Sequence, residues 1–526
     1  MGIVRSQSIK SAIITYVGFA IGAVNLMLVM PNFFTKEQMG LIQLFIALAA
    51  QIVTVGGVGM NIVTNKFLPY YRAHLEPKSR DLLTIALVVG TIGMLLTLLV
   101  SYANKDLIVL KFSKNSPLFV QYMYLFPLFA MGYFYYSLFE SFNNNYKFSV
   151  WSSLVRELFY RLFNLLAAVL VAVGLVTFSG VMNIYVIMYW AGALLLIANL
   201  YYNHLLYIPF KISNLTKRLK KNIAYYSLPN WGTSILGTTL QFVDTFAIAG
   251  LVGLGQAAVY NIVKFIISTM VIPSSSVLPI SIPLISEAWR RNDLKAIENI
   301  YKKTAIVLVL LSGFILILIL SNANDILHIV PDKFYGSQSI FVQAQWTILI
   351  IGAARMIDYM TSVNSYILQN SRKYYKTDTI CNIVLVIVSI PINYYFVKWW
   401  GMIGAGLVSL ALSSVLNSFK ALFLYFKEKI HPFSKKWLPL LCTFLLTLAV
   451  GFFAELAFRL LFLNHAHLTV IALIAKISLK GILLCLVFIP LIYRLKISED
   501  INITIRNILN QLSLILHKLH FKKSNS

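Results

Sequence analysis

Apolar stretches of roughly 20 residues, about the length that crosses a bilayer core, recur along the whole of this 526-residue chain. Fourteen can be marked, over 11–32, 40–64, 81–102, 118–141, 150–174, 181–208, 223–250, 257–283, 304–321, 339–368, 377–397, 402–426, 437–459 and 469–493. The connections between them are short and polar. This pattern predicts an all-α polytopic membrane protein. The first stretch has no small-x-small cleavage site, so it reads as a retained span rather than a cleaved signal. After Ser498, Ile501, Ile505, Ile508, Leu512, Ile515 and Leu519 recur at helical spacing. That predicts an amphipathic helix on the membrane surface. A further short surface helix is expected in the charged connection 286–303.

Charge changes this picture by giving it a direction. Lys and Arg number 44 against 18 Asp and Glu, a formal net charge of +26. They gather on every second connection, including Lys66, Arg72, Lys78 and Arg80, the cluster 211–221, and Arg290, Arg291 and Lys295. Thirty lie on that set of connections and seven on the other. Short basic loops stay in the cytoplasm, so the reading is a bacterial inner-membrane protein with both termini inside. The same placement argues for contact with anionic lipid rather than nucleic acid.

Composition adds two exclusions. The chain is 59% hydrophobic and 12% charged, about half the charged fraction of a soluble protein. Its three cysteines lie in apolar stretches with no metal or redox spacing, and no phosphate-binding G-x-x-x-x-G-K-[ST] loop is present. Neither a cofactor nor a metal is expected, and direct ATP hydrolysis is disfavoured. His465 and His467 read as solvated.

The densest basic linker follows six stretches, six more follow it, and a pair closes the chain. This predicts lobes at 1–210 and 211–430, a helix pair at 431–495 and a cytoplasmic tail at 496–526. An internal repeat supports the division. Ser11, Thr15, Gly18, Gly22 and Asn25 share spacing with Asn230, Ser234, Gly237, Gln241 and Asp244, at a constant offset of 219 residues. Halves of six spans have the same orientation, and side by side they leave a cleft.

Ionisable side chains inside the apolar stretches are costly and therefore mark function. Asp244 lies one turn beyond Gln241. Lys264 shares a face with Tyr260, Asn261 and Ser268. Arg355 and Asp358 stand at i,i+3, placed either to pair with each other or to line a cavity. Asp244 and Lys264 have the same two options. In the fifth stretch Glu157 and Arg161 are i,i+4 partners, with Arg156 on a neighbouring face where it can snorkel or grip a phosphate. Glu140 reads as an interfacial cap. Lys476 and Lys480 face one way, toward either a cleft or lipid headgroups. Bends are expected at Pro229, Gly232, Pro273, Pro279 and Pro283.

The opening Ser8-Ile9-Lys10-Ser11, Tyr16-Val17-Gly18-Phe19, Pro31-Asn32-Phe33 and Glu37-Gln38-Met39-Gly40-Leu41 resembles bacterial polysaccharide-export flippases of the Wzx type. The Arg156-Glu157-Leu158 run with Arg161-Leu162, and the 6+6+2 layout, are similar to them as well. That family belongs with multidrug-and-toxin-extrusion transporters and lipid II flippases in one superfamily. The resemblance implies a V-shaped cleft and a polyprenyl-diphosphate-linked oligosaccharide moved from the inner to the outer leaflet. On that reading Arg355, Lys264, Arg156 and Arg161, with Asn25 and Gln241, hold the substrate. Asp244 and Asp358 take a coupling H⁺ or Na⁺, and polysaccharide polymerase machinery is a candidate partner. The alternatives are a cation-coupled multidrug antiporter, a lipid II flippase, and a polysaccharide polymerase or ligase. The last is disfavoured because the outer loops are too short to carry a catalytic centre.

Overall fold

The computed structural model describes residues 2–461, 469–499, 501–503 and 506–507. His465, His467 and most of the expected tail helix lie outside them. Every regular element among the described residues is helical. Twelve helices are long and apolar enough to cross a membrane. The difference from fourteen has two causes. The eleventh and twelfth stretches run together as one helix over Tyr375–Glu428, broken at Gly401, whose φ of 54° and ψ of −132° no helix contains. The fifth stretch is helical over Ser149–Ser153 and Tyr160–Ala172 but carries a π-turn at Leu154–Phe159, together with Arg156, Glu157 and Arg161.

Several helices outrun the membrane. Asn214–Leu251 has 38 residues, about 57 Å at 1.5 Å per residue, so the basic linker is the first part of the seventh span. Pro229 sits inside this helix without ending it. The eighth span tightens to a 3₁₀ turn over Thr269–Val271, just before Pro273. The expected surface helix at 286–303 is absent. Instead the helices Ile272–Arg290 and Leu294–Ser321 run through this stretch and meet in a tight turn. Asn292 takes a φ of 53° there, and the Asp293 carboxylate accepts from the Ala296 amide at 2.9 Å, capping the second helix.

The chain forms two compact units. One comprises Met1–Ile262, Val330–Ile340 and Val386–Ala405; the other comprises Val263–Ile329, Phe341–Leu385 and Gly406–Ser526. In the first, Phe45 packs edge-on against Phe119, Phe126 and Phe129, with centroids 5.4–6.0 Å apart. Such edge-to-face pairs contribute beyond simple burial. The basic linker is tied to this unit by buried Asp81, which accepts from the Ser213 amide at 2.8 Å and from the Ser213 and Thr216 hydroxyls at 2.9 Å. In the second unit Ile285, Ile297, Tyr301, Ile367 and Leu424 form a fully buried cluster. Many large apolar side chains are exposed instead, such as Leu99, Leu110, Phe452 and Leu486, as lipid-facing positions require.

Candidate functional site

The second span is not continuous. Gly56-Gly57-Val58-Gly59 ends one helix, Lys36–Gly56, and a second, Met60–His74, begins after it. Val58 and Gly59 are left-handed, with φ of 47° and 66°. Only glycine adopts that conformation without strain. The break withdraws the Val58 amide from the Thr54 carbonyl and turns it to Val55 at 3.3 Å. The Trp231 indole of the seventh span takes up the released carbonyl, donating to Thr54 O at 2.8 Å. Broken helices survive at membrane depth only where protein buries them or where they line a watery cavity.

Here they line a cavity of about 320 Å³. Its walls are the two halves of the second span, the fourth span (Tyr133, Phe134, Ser137) and the seventh (Trp231, Ser234, Thr238, Gln241, Phe242). Asn61 donates to the Ser137 hydroxyl at 2.8 Å. Thr54 and Thr238 place their hydroxyls 3.2 Å apart. No carboxylate, ammonium or guanidinium is among the lining groups. All of these residues belong to the first unit. Of the expected binding residues, Gln241 lies here. Asp244, one turn on, is buried and accepts from the Tyr260 phenol at 2.7 Å. The repeated polar face has therefore diverged: in the seventh span it opens on this cavity, and in the first it is packed.

That packing gathers three more expected residues. Gly18 lies against the Glu157 backbone, and the Arg161 guanidinium covers Gly22, leaving no room for a side chain at either glycine. Asn25, within a π-turn over Val24–Val29, donates to the Arg161 carbonyl at 2.7 Å. Arg161 pairs with Glu157 at 2.7 Å as expected. Arg156, expected on a free face, is also paired, reaching Glu140 at 3.0 Å and Glu157 at 3.1 Å. A π-turn adds a residue to the helical turn and re-aims what it carries. Glu140 is thus an ion partner rather than a cap. The quartet is neutral, with Arg156 half exposed.

In the second unit Arg355 reaches Asp358 only at 3.5 Å and is half exposed. Asp358 also accepts from Asn417 at 2.8 Å. So loose a pair leaves the guanidinium fork available to an anion. Lys264 is half-buried on the helix Leu254–Ser268.

Three other intramembrane lysines have fixed partners. Lys420 lies 2.7 Å from Asp378 and donates to Ser365 at 2.9 Å and Asn382 at 3.2 Å. Lys476 and Lys480 meet neither a cleft nor headgroups. Both contact Asp325, at 2.9 and 2.7 Å, and Glu455, at 3.1 and 2.7 Å. Both lysines and Asp325 are almost wholly buried. These groups therefore neutralise one another.

The fold these helices make is similar to those of solved lipid-flippase and multidrug-transporter structures. Residues 229–396 match the family model MatE. The structure is similar to a lipid II flippase, MurJ, in an inward closed conformation, with a TM-score of 0.67 and 16% identity over 93% of this chain and all of that one. It is also similar to an inward-facing multidrug resistance transporter of the MATE family, with a TM-score of 0.59 and 13% identity over 78% of this chain and 96% of that one. A MATE structure in complex with MaL6 follows, with a TM-score of 0.51 and 13% identity over 80% and 95%. No curated protein matches the chain by sequence.

Proposed function

We propose that this protein is a flippase for a polyprenyl-diphosphate-linked oligosaccharide, such as a surface-polysaccharide or lipopolysaccharide unit. It carries the lipid from the inner to the outer leaflet of a bacterial inner membrane, with both termini cytoplasmic, by alternating access between two six-helix lobes. The observation that carries this reading is the extent of the structural likeness. It covers 93% of the chain with the lipid flippase but only 78–80% with the multidrug transporters. The half-exposed, loosely paired Arg355 supports it, since Arg grips phosphate oxygens bidentately. Lys264 and the inner-mouth Arg156 and Arg161 assist, with Asn25 holding Arg161 in place. Asp244 and Asp358 take the coupling H⁺ or Na⁺, whose differential affinity for the two states shifts the balance between them. Polysaccharide polymerase machinery receives the product. The MatE match over 229–396 favours a second reading, a cation-coupled multidrug antiporter.

One experiment separates the two. Cells lacking the protein are expected to accumulate a lipid-linked oligosaccharide that a membrane-impermeant lectin on spheroplasts cannot reach. Re-expression restores access. Arg355→Glu and Lys264→Glu insert normally and fail to restore it. Unchanged lectin access in the deletion strain, with raised drug sensitivity, would overturn the flippase reading in favour of the antiporter.

A further inference from the structure

We infer that the uncharged cavity between the broken second span and the fourth and seventh spans is a saccharide subsite. The inference rests on the flippase reading and names the part of the substrate held there. Three observations point to it. The first is chemical. An anion or a cation would be met by opposite charge, yet the groups at this cavity are amides and hydroxyls: Asn61, Ser137, Thr238 and Gln241. Each can donate and accept, which suits hydroxyl groups of variable orientation. The second is the aromatic content. Trp231 and Tyr133 line the same space, and aromatic faces pack on the apolar C–H faces of a sugar ring while their polar ends stay hydrogen-bonded. Trp231 is fixed for this, since its indole is held at the Thr54 carbonyl at 2.8 Å. The third is the backbone. Breaking the second span with two left-handed residues carries a cost that a packed membrane helix avoids. What the break creates is this cavity of about 320 Å³, within the range of small-ligand sites.

A diphosphate and a saccharide call on different chemistry, and the groups lining this cavity suit the second. Saccharide specificity then resides in Asn61, Thr238 and Gln241, which would disfavour a sugar lacking the hydroxyl matched to them.

The full-length protein in lipid nanodiscs is tested by saturation-transfer NMR. The probes are N-acetylglucosamine, N,N′-diacetylchitobiose, maltose and lactose, none of which carries phosphate or lipid. Transfer to at least one sugar is expected, falling at least threefold in Asn61→Leu and in Thr238→Val. Thr238→Val removes one hydroxyl at nearly constant shape, and each variant is first required to match the parent in size-exclusion profile. Transfer to none of the four sugars, or transfer that both variants leave intact, overturns the inference. A parallel titration with sugar-free undecaprenyl diphosphate keeps the two readings apart. Binding of that lipid without binding of any sugar removes the subsite and spares the flippase. Binding of a sugar without that lipid retains the subsite and removes the lipid-linked substrate.

Discussion

Replacing Lys480 with methionine isolates the energetics of the buried ion network. The Lys480 ammonium has no solvent exposure. It contacts Asp325 and Glu455 at 2.7 Å each and donates to the Ser321 carbonyl at 3.0 Å. Two ammoniums there balance two carboxylates. Methionine fills most of the volume but leaves Asp325 and Glu455 facing Lys476 alone, with Arg459 reaching only Glu455, at 3.1 Å from its exposed side. Removing one partner of a buried pair costs about 3–5 kcal/mol, most of it the penalty of the stranded charge. Lys480→Met is therefore expected to lose about that much. Adding Asp325→Asn removes the stranded charge and should recover about half. Equilibrium unfolding in mixed dodecyl maltoside and SDS micelles, run as a double-mutant cycle, reads both numbers. A single variant costing less than about 1 kcal/mol, or a double variant losing the sum of the singles, would refute the claim that these charges neutralise one another.

Other outcomes follow from the same geometry. Lys420→Met strands Asp378, 2.7 Å away, and is expected to cost about 3–5 kcal/mol; Asp378→Asn in that background should restore part of it in the same micelle titration. Gly59→Ala meets a φ of +66° and the Trp231 side chain at 3.0 Å. It should cost at least about 1–2 kcal/mol, seen as a lower thermal midpoint by fluorescence-detected size exclusion. Gly22→Leu drives a side chain into the Arg161 guanidinium and should abolish folded protein in the same assay, whereas Gly232→Ala, with open space at its Cβ, should be silent.

Hydropathy exposed nearly all of the scaffold in the sequence, because lipid demands long apolar helices and little else. Even the boundary at Gly401 fell between two marked spans. Ion partners were harder. Asp325 lies in a connection about 150 residues before Lys476 and Lys480, and nothing in local spacing joins them. Read alone, those lysines could face a cleft or headgroups; paired, they are scaffold. Arg156 shows the same limit at short range, because a π-turn changes which face a residue occupies without leaving a sequence signal. The break in the second span did have a signal. Three glycines in Gly56-Gly57-Val58-Gly59 mark a left-handed turn inside an apolar run, and with it the cavity. Gln241, singled out by polar periodicity, lines that cavity.

The ion network also has a consequence for how the protein is made. Asp325 and Glu455 enter the membrane before the residues that neutralise them, since Lys476 and Lys480 sit on a later helix, Val470–Leu495. Until that helix arrives, two carboxylates are held in a medium that penalises them. Its insertion is then drawn inward by charge, against its own apolar surface and toward one docking position. Docking of this helix thus answers a charge laid down earlier: a chain that stops before residue 470 leaves both carboxylates without their two lysines.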